Sequence, residues 1–184
     1  MLRVGARMST HPDVVALGET MLSLVAADEP LARAATLHVT HGGAESNTCV
    51  GLARLGLRTA WVSRLGADPA GDLIESALAS EGIDLRWVRR DPARPTGIML
   101  RDTSGSGVHY YRSGSAASTL SPQDLEGVPL AEARAVLVTG VTALIGPEPQ
   151  RAAVTLLERG GGRSTRTCGP GCGAPTGPSN SSCR

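Results

Sequence analysis

The sequence predicts an α/β fold, with helices covering a parallel sheet and a small antiparallel sheet beside it. Two apolar runs that end at glycine, Val14–Gly18 and Ala135–Gly140, are typical of buried strands. Helical patterns alternate with such runs, which favours parallel strands joined by crossovers. The pattern then changes to short extended pieces separated by turns, which predicts the antiparallel sheet; these pieces are Leu85–Arg89, Thr96–Arg101 and Val108–Arg112.

The first half of the chain begins with residues 1–12, for which we expect a disordered extension. The first strand follows, and a helix then opens at Gly42-Gly43 and runs to Gly56. The next strand, Arg58–Leu65, is closed by Gly66. Strand and helix therefore alternate from the start, as a crossover fold requires.

The clearest helix begins after Asp68, a good capping residue, with Pro69 in the first helical position. Its apolar residues recur at helical spacing, and Gly82 ends it. A short helix is predicted at Ser121-Pro122. The last one, residues 147–160, begins with a proline and ends with a glycine.

Composition excludes several classes of protein. The 184 residues carry 18 basic and 17 acidic side chains, a net charge of +1, so nothing favours nucleic acid or an anionic membrane as a partner. No apolar run approaches the roughly 20 residues that span a bilayer, and the amino terminus lacks the apolar stretch of a signal peptide. We expect a cytoplasmic protein in which Cys49 is a small buried hydrophobe.

Residues 160–184 differ in kind from the rest. They are rich in Gly, Pro, Ser and Thr, and Ala174 is their only aliphatic residue, so we expect disorder. A metal site formed by Cys168, Cys172 and Cys183 is the alternative. Their spacing does not match a zinc knuckle and no histidine is nearby, which disfavours that alternative.

A shift of the reading frame near the codons of Gly160–Gly162 explains this tail better. In the shifted frame a permitted choice of codons begins Val-Asp-Pro-Asn-Leu-Arg-Pro, which is strand-like and comes where a strand is due. The alternative is coincidence in a GC-rich gene. A frameshift would end the parallel sheet at the strand 135–140 and leave an open, aggregation-prone edge.

A glycine-rich segment, His41–Asn47, is the first candidate site. Gly42 and Gly43 let the backbone approach a ligand closely, and the following helix start offers free N–H donors. Asn47 can both donate to and accept from sugar hydroxyls. A plain turn with Asn47 on the surface explains the spacing equally well.

The segment Tyr110–Ala116 is the second candidate site. Alternation places Tyr110 and Arg112 on one face of a strand and Tyr111 on the other. A phenol beside a guanidinium suits a polar, anionic small molecule, because arginine grips carboxylates with two hydrogen bonds. The alternative is a half-buried strand with an exposed arginine.

Together these segments resemble the ribokinase-like (PfkB) carbohydrate kinases, and most closely the 2-keto-3-deoxygluconate kinases. The resemblance covers about residues 13–159. The segments that carry it are Leu17–Thr20, Gly42–Asn47, Leu52–Gly56, Arg64–Asp68, Glu81–Asp84, Thr96-Gly97, Tyr110–Ala116 and Thr139–Thr142.

The resemblance implies a small-molecule sugar or sugar acid as the ligand. Gly42, Gly43 and Asn47 would hold its hydroxyls, and Tyr110 and Arg112 would reach its keto and acid end. The extended pieces of residues 20–40 and 85–112 would form a β-lid over the site, which in this family often also makes a homodimer. Met99 stands where the closest relatives tend to place a substrate-contacting tyrosine, which leaves the exact sugar open.

The resemblance also implies ATP and Mg²⁺ as cofactors of the full-length family. Its catalytic base is the Asp of a Gly-Ala-Gly-Asp motif, and this chain contains no such motif, so we assign no catalytic residue. We expect a kinase for a keto-sugar acid, truncated before its ATP-binding half and therefore inactive. The alternatives are a non-catalytic sugar-binding or dimerisation module and, last, a Rossmann nucleotide-binding protein, for which no G-x-G-x-x-G follows the first strand.

Overall fold

The computed structural model describes residues 11–27, 29–102, 107–160 and 164–167. Nine strands and four helices are formed by these residues. The strands are β1 (Val14–Leu17), β2 (Met21–Ala26), β3 (His38–Gly42), β4 (Thr59–Gly66), β5 (Val88–Asp91), β6 (Ile98–Asp102), β7 (Val108–Tyr111), β8 (Ala135–Thr139) and β9 (Ser164–Thr167). The helices are α1 (Ala44–Arg54), α2 (Pro69–Ser80), α3 (Gly140–Ala143) and α4 (Pro147–Arg159).

The main sheet is parallel throughout, with strand order β5-β4-β1-β8-β9. Helices α1 and α2 cover one face, where Cys49 and Ile74 pack with Trp61. Helix α4 and the loops of residues 116–133 cover the other face, where Leu156 packs with Val136. The predicted three-layer α/β fold and the burial of Cys49 are confirmed. In the described part of the chain, no helix is long and apolar enough to cross a membrane.

Local signals placed the helices well. The Asp68 carboxylate accepts a hydrogen bond from the Gly71 backbone N–H at 2.8 Å and so caps α2, which begins at Pro69 as predicted. The helix predicted at Ser121-Pro122 is a short 3-10 turn, Pro122–Leu125.

The second sheet has the strand order β3-β2-β6-β7 and stands apart from the first, as predicted. Strands β2 and β3 are antiparallel, as are β6 and β7, but β2 and β6 run parallel. Both of these strands follow parallel strands of the main sheet, β1 and β5, and leave it at the same edge. They therefore set out in the same direction. We call this second sheet the lid.

One extended piece belongs to the other sheet. The segment predicted at Leu85–Arg89 overlaps β5, which pairs parallel with β4, so its assignment to the antiparallel sheet was wrong. An ion pair helps to hold β5 there, because Arg89 contacts the buried carboxylate of Asp124 at 3.2 Å. Alternation of side chains identifies a strand but not the strand beside it.

The main sheet does not end at β8. Residues 164–167 pair with residues 136–139 as β9. The expected disorder of these four residues and the expected end of the sheet at β8 were therefore both wrong. The α4 crossover returns the chain beside β8, and a parallel ladder needs only backbone N–H and C=O groups. Residues 1–10 of the predicted extension, and Cys168, Cys172 and Cys183, lie outside the described residues.

A buried carboxylate joins the main sheet to α1. The Glu45 side chain is 1% exposed, and its Oε1 accepts hydrogen bonds from the Thr139 N–H (2.8 Å), the Thr139 hydroxyl (2.7 Å) and the Thr142 hydroxyl (2.7 Å). Gly18 leaves room for it, since a Cβ there would lie 2.3 Å from the Glu45 Cδ. The ends of β1 and β8 are thereby fixed to the first turn of α1.

Substitution of Glu45 tests how much its carboxylate contributes to stability. Glu45→Ala leaves three buried hydrogen-bond donors without an acceptor, so we expect the free energy of unfolding in urea to fall by about 3 kcal/mol. Thr142→Val, the matched control, removes one donor and keeps the shape, and should cost about 1 kcal/mol. A loss for Glu45→Ala no larger than that of the control would contradict this role.

Candidate functional site

The candidate site lies at the carboxyl ends of β1 and β8. The chain leaves β1 toward β4 on one side and later enters β8 on the other, so the strand order reverses between these two neighbours. In open α/β sheets a crevice forms outside the carboxyl ends at such a point, and ligands bind there. The amino end of α1 is at the same place, because Glu45 in its first turn bonds to Thr139 at the end of β8.

The two glycines before α1 lie close to other parts of the protein. Gly43 caps the helix, and a Cβ on it would lie 2.3 Å from the Glu19 carbonyl oxygen and 2.7 Å from the Thr20 Oγ1. Gly42 ends β3, and a Cβ there would lie 2.5 Å from the Met99 Cε. The two glycines therefore approach Glu19, Thr20 and Met99 closely, and their predicted contact with a ligand stays a prediction.

Asn47 lies one turn into α1 and is exposed. Its backbone N–H donates to the Gly43 carbonyl at 2.9 Å, a regular helical bond. Surface exposure fits both the predicted sugar contact and the plain-turn alternative.

The lid brings four candidate residues together. Met99 is paired with Tyr110, and its methyl group contacts Gly42. Tyr110 lies on the lid face that carries Met99, while Tyr111 pairs with Ile98 on the opposite face. The Arg112 guanidinium carbon is 5.9 Å from the centre of the Tyr110 ring. Gly42, Met99, Tyr110 and Arg112 are thus neighbours in the structure.

Tyr110 and Arg112 line an open cavity of about 630 Å³ beside the loop that follows β8. The other lining residues are Ser113, Gly114, Ser118, Val141, Leu144, Ile145, Gly146 and Pro147. Gly42, Gly43, Asn47 and Met99 are not among them. The cavity therefore combines a phenol and a guanidinium on one wall with mostly apolar side chains on the other.

Sequence reasoning missed the partner of Arg112. The guanidinium forms an ion pair with Glu19, whose side chain is 2% exposed, and the Ser115 hydroxyl donates to the Glu19 Oε1 at 3.0 Å. Burial raises the pKa of Glu19 above its ordinary value, although Arg112 and Ser115 act in the opposite direction. The sequence signal that could have identified this partner was Glu19 itself, an acidic residue that follows the first strand within Leu17–Thr20.

The described residues do not supply a metal centre. Within residues 11–27, 29–102 and 107–160, no group of three or more His, Cys, Asp and Glu side chains could hold a metal ion. In phosphoryl transfer Mg²⁺ is usually held by one or two carboxylates together with substrate phosphates and water, so the Mg²⁺ that the resemblance implies stays a prediction.

Several known proteins are similar to this chain in sequence or structure. The 2-dehydro-3-deoxygluconokinase of Bacillus subtilis is 41% identical over 59% of this chain and 35% of its own length. The enzyme of the same name from Thermoproteus tenax is 34% identical over 76% of this chain and 45% of its own length. The crystal structure of a PfkB protein from Polaromonas is 37% identical, with a TM-score of 0.80 over 86% of this chain and 56% of that one. The chain thus spans about half the length of the relatives it matches.

A family model also matches most of the chain. Residues 11–159 match the pfkB family of carbohydrate kinases, which confirms the resemblance drawn from the sequence motifs. This match takes in both sheets, from β1 to β8, and all four helices. The chain belongs to the pfkB family of carbohydrate kinases.

Proposed function

We propose that this chain forms the sugar-binding part of an ATP-dependent kinase for a keto-sugar acid such as 2-keto-3-deoxygluconate. The observation that carries the proposal is the placement of Tyr110 and Arg112 on one wall of a single cavity, at the end of the sheet where this fold binds ligands. A guanidinium there selects a carboxylate, and a phenol adds a hydrogen bond to a polar neighbour.

The ligand would be held at both ends. Arg112 has five N–H donors, so its ion pair with Glu19 leaves donors for the acid group. The Tyr110 hydroxyl serves the keto end, and its side chain is 55% exposed. Asn47 and the N–H groups at the start of α1 do not line this cavity, and we propose that they bind hydroxyls of a ligand that extends beyond it.

The names of relatives support this substrate class. The Bacillus and Thermoproteus proteins are named for 2-dehydro-3-deoxygluconate, the same compound as 2-keto-3-deoxygluconate. Met99 contacts Gly42 and is paired with Tyr110, which lines the cavity. It offers no hydroxyl, which leaves polar recognition to Tyr110 and Arg112.

Phosphoryl transfer needs groups that the 184 residues do not contain. The resemblance assigns the base for the attacking hydroxyl to the Asp of Gly-Ala-Gly-Asp, which is not present in the sequence. ATP supplies the phosphoryl group in such kinases. We propose that this chain alone does not transfer it. The family match stops at residue 159, directly before Gly160–Gly162, which supports a change of reading frame there.

A binding module without catalysis is the second candidate. It is favoured by the fifth strand β9 and by the helices and loops on both faces of the main sheet, which make the described part self-contained. The two candidates differ in what a repaired reading frame would do.

The lid also offers a surface for a second copy of the chain. The register places six apolar side chains on its face away from Met99: Leu22, Leu24, Val39, Ile98, Leu100 and Tyr111. We call these six the outer lid face. Val39 and Tyr111 are 57% and 65% exposed, and an apolar patch of this kind is typical of an interface. We propose a homodimer through this face.

Arg112→Ala should separate acid from neutral sugars. We expect binding of 2-keto-3-deoxygluconate, measured by calorimetry, to weaken about tenfold or more, because a charge-assisted contact is lost. Binding of fructose should change little. Arg134→Ala is the matched control, because Arg134 is exposed and directly precedes the amino end of β8, at the opposite end of the strands from the cavity. Equal losses for both sugars would mean that Arg112 does not bind the carboxylate.

Assays of ADP release should distinguish the two candidate functions. We expect the 184-residue chain to release no ADP above background with 2-keto-3-deoxygluconate, since it lacks the base and phosphate-binding residues. A chain expressed from a gene repaired near codons 160–162 should release ADP. Turnover by the original chain would overturn the proposed inactivity, and an inactive repaired chain would favour the binding module.

Light scattering should show the lid dimer. The chain is expected at twice its mass of 18.9 kDa. Val39→Asp combined with Tyr111→Asp should give the monomer, because buried unpaired carboxylates oppose association. Leu55→Asp, at an exposed apolar residue outside the lid, is the control and should stay dimeric. A dimer that persists in the double variant would place the interface elsewhere.

A further inference from the structure

We propose that Glu19 is a positioning residue that fixes the Arg112 guanidinium at the cavity wall and thereby makes the site selective for acid sugars. This inference rests on the proposed function and names a residue that acts through Arg112. Among the described residues, Glu19 is the carboxylate that pairs with Arg112.

The backbone around Arg112 fixes the start of its side chain. The Ser115 N–H donates to the Arg112 carbonyl at 3.0 Å and closes a turn, in which Gly114 has a φ of +72°. The Ala116 N–H donates to the Pro95 carbonyl at 2.8 Å and ties this turn to the chain before β6. These bonds hold the Arg112 Cα but leave its long side chain free to rotate.

Glu19 holds the other end of that side chain. It follows β1 in the core of the main sheet, and its carboxylate is fixed by the Ser115 hydroxyl at 3.0 Å. The start of β6 lies against it, since a Cβ on Gly97 would be 2.8 Å from the Glu19 Oε1. The carboxylate is therefore shielded from water and has little freedom to move, so it orients the guanidinium rather than following it.

The charge of Arg112 explains why Glu19 should affect the binding of acid sugars more than that of neutral sugars. The Arg112 side chain is 21% exposed, so most of it is buried and a guanidinium without a charged partner would turn toward water. The pair keeps the charge at the wall, where its remaining N–H donors can bind a carboxylate. A neutral sugar makes little use of that charge, so Glu19 affects acid sugars selectively.

Protonation of Glu19 supplies an independent readout. Burial raises its pKa, the nearby Glu45 raises it further, and Arg112 and Ser115 lower it. Glu19 therefore takes up a proton at a higher pH than an ordinary glutamate. A sugar acid, like an α-carboxyl group, stays ionised down to about pH 4. Affinity for the acid should fall as the pH drops into the range where Glu19 takes up its proton and the sugar acid is still ionised, and this dependence should vanish in Glu19→Gln.

The test compares Glu19→Gln, Arg112→Ala and the double variant of the full chain by calorimetry. We expect Glu19→Gln to bind 2-keto-3-deoxygluconate about tenfold more weakly, with fructose nearly unaffected. In the Arg112→Ala background, Glu19→Gln should change acid binding less than about twofold, because the two residues act as one unit. Glu132→Gln, an exposed glutamate at the far edge of the sheet, is the control.

A second measurement needs no ligand. The Arg112 Nε–H signal in ¹⁵N NMR, identified by its loss in Arg112→Ala, should be sharp in the unchanged chain and broadened in Glu19→Gln. If the chain binds no acid sugar, the proposed function fails and this signal alone decides the role of Glu19. Glu19→Asp, one methylene too short to reach, replaces Glu19→Gln if that variant does not fold. Unchanged or tighter acid binding, additive losses, or an unchanged signal would each overturn the inference.

Discussion

A carboxylate buried where the strand order reverses is the constraint on which the site depends. The Glu45 charge requires donors in a region without water, and it finds three at the end of β8 and the start of α3. It reaches them past Gly18, which can carry no side chain there. One side chain therefore sets the position of α1, and with it Gly43, and anchors the loop after β8 that forms one cavity wall.

Local sequence signals predicted the elements because their causes are local. Asp68 and Pro69 start α2 by interactions within one turn, and glycine-ended apolar runs gave β1 and β8. The partner of each strand is decided by contacts between distant residues. For this reason the alternation in residues 85–89 did not show that β5 joins β4, and the composition of residues 160–184 did not show β9.

The candidate site likewise has features that follow from local sequence and features that depend on contacts between distant residues. The two-residue period of a strand was enough to separate Tyr110 from Tyr111 on the two faces and to predict Arg112 beside Tyr110. It could not show that Arg112 pairs with Glu19, because the segments after β1 and after β7 are far apart in sequence and meet only in the fold. Gly42 and Gly43 were identified as positions of close approach, and Met99, Glu19 and Thr20 do lie against them, while the contact with a ligand stays a prediction.

The strand order has a consequence for synthesis on the ribosome. The central strand β1 is translated first, yet its two neighbours are β4 and β8, and β8 ends only at Thr139. Until then one side of β1 has no partner, and the Glu45 carboxylate lacks the threonines that satisfy it. The nascent chain must therefore wait in a partly paired state, with apolar strand edges exposed to neighbouring chains, until three quarters of these 184 residues have been made.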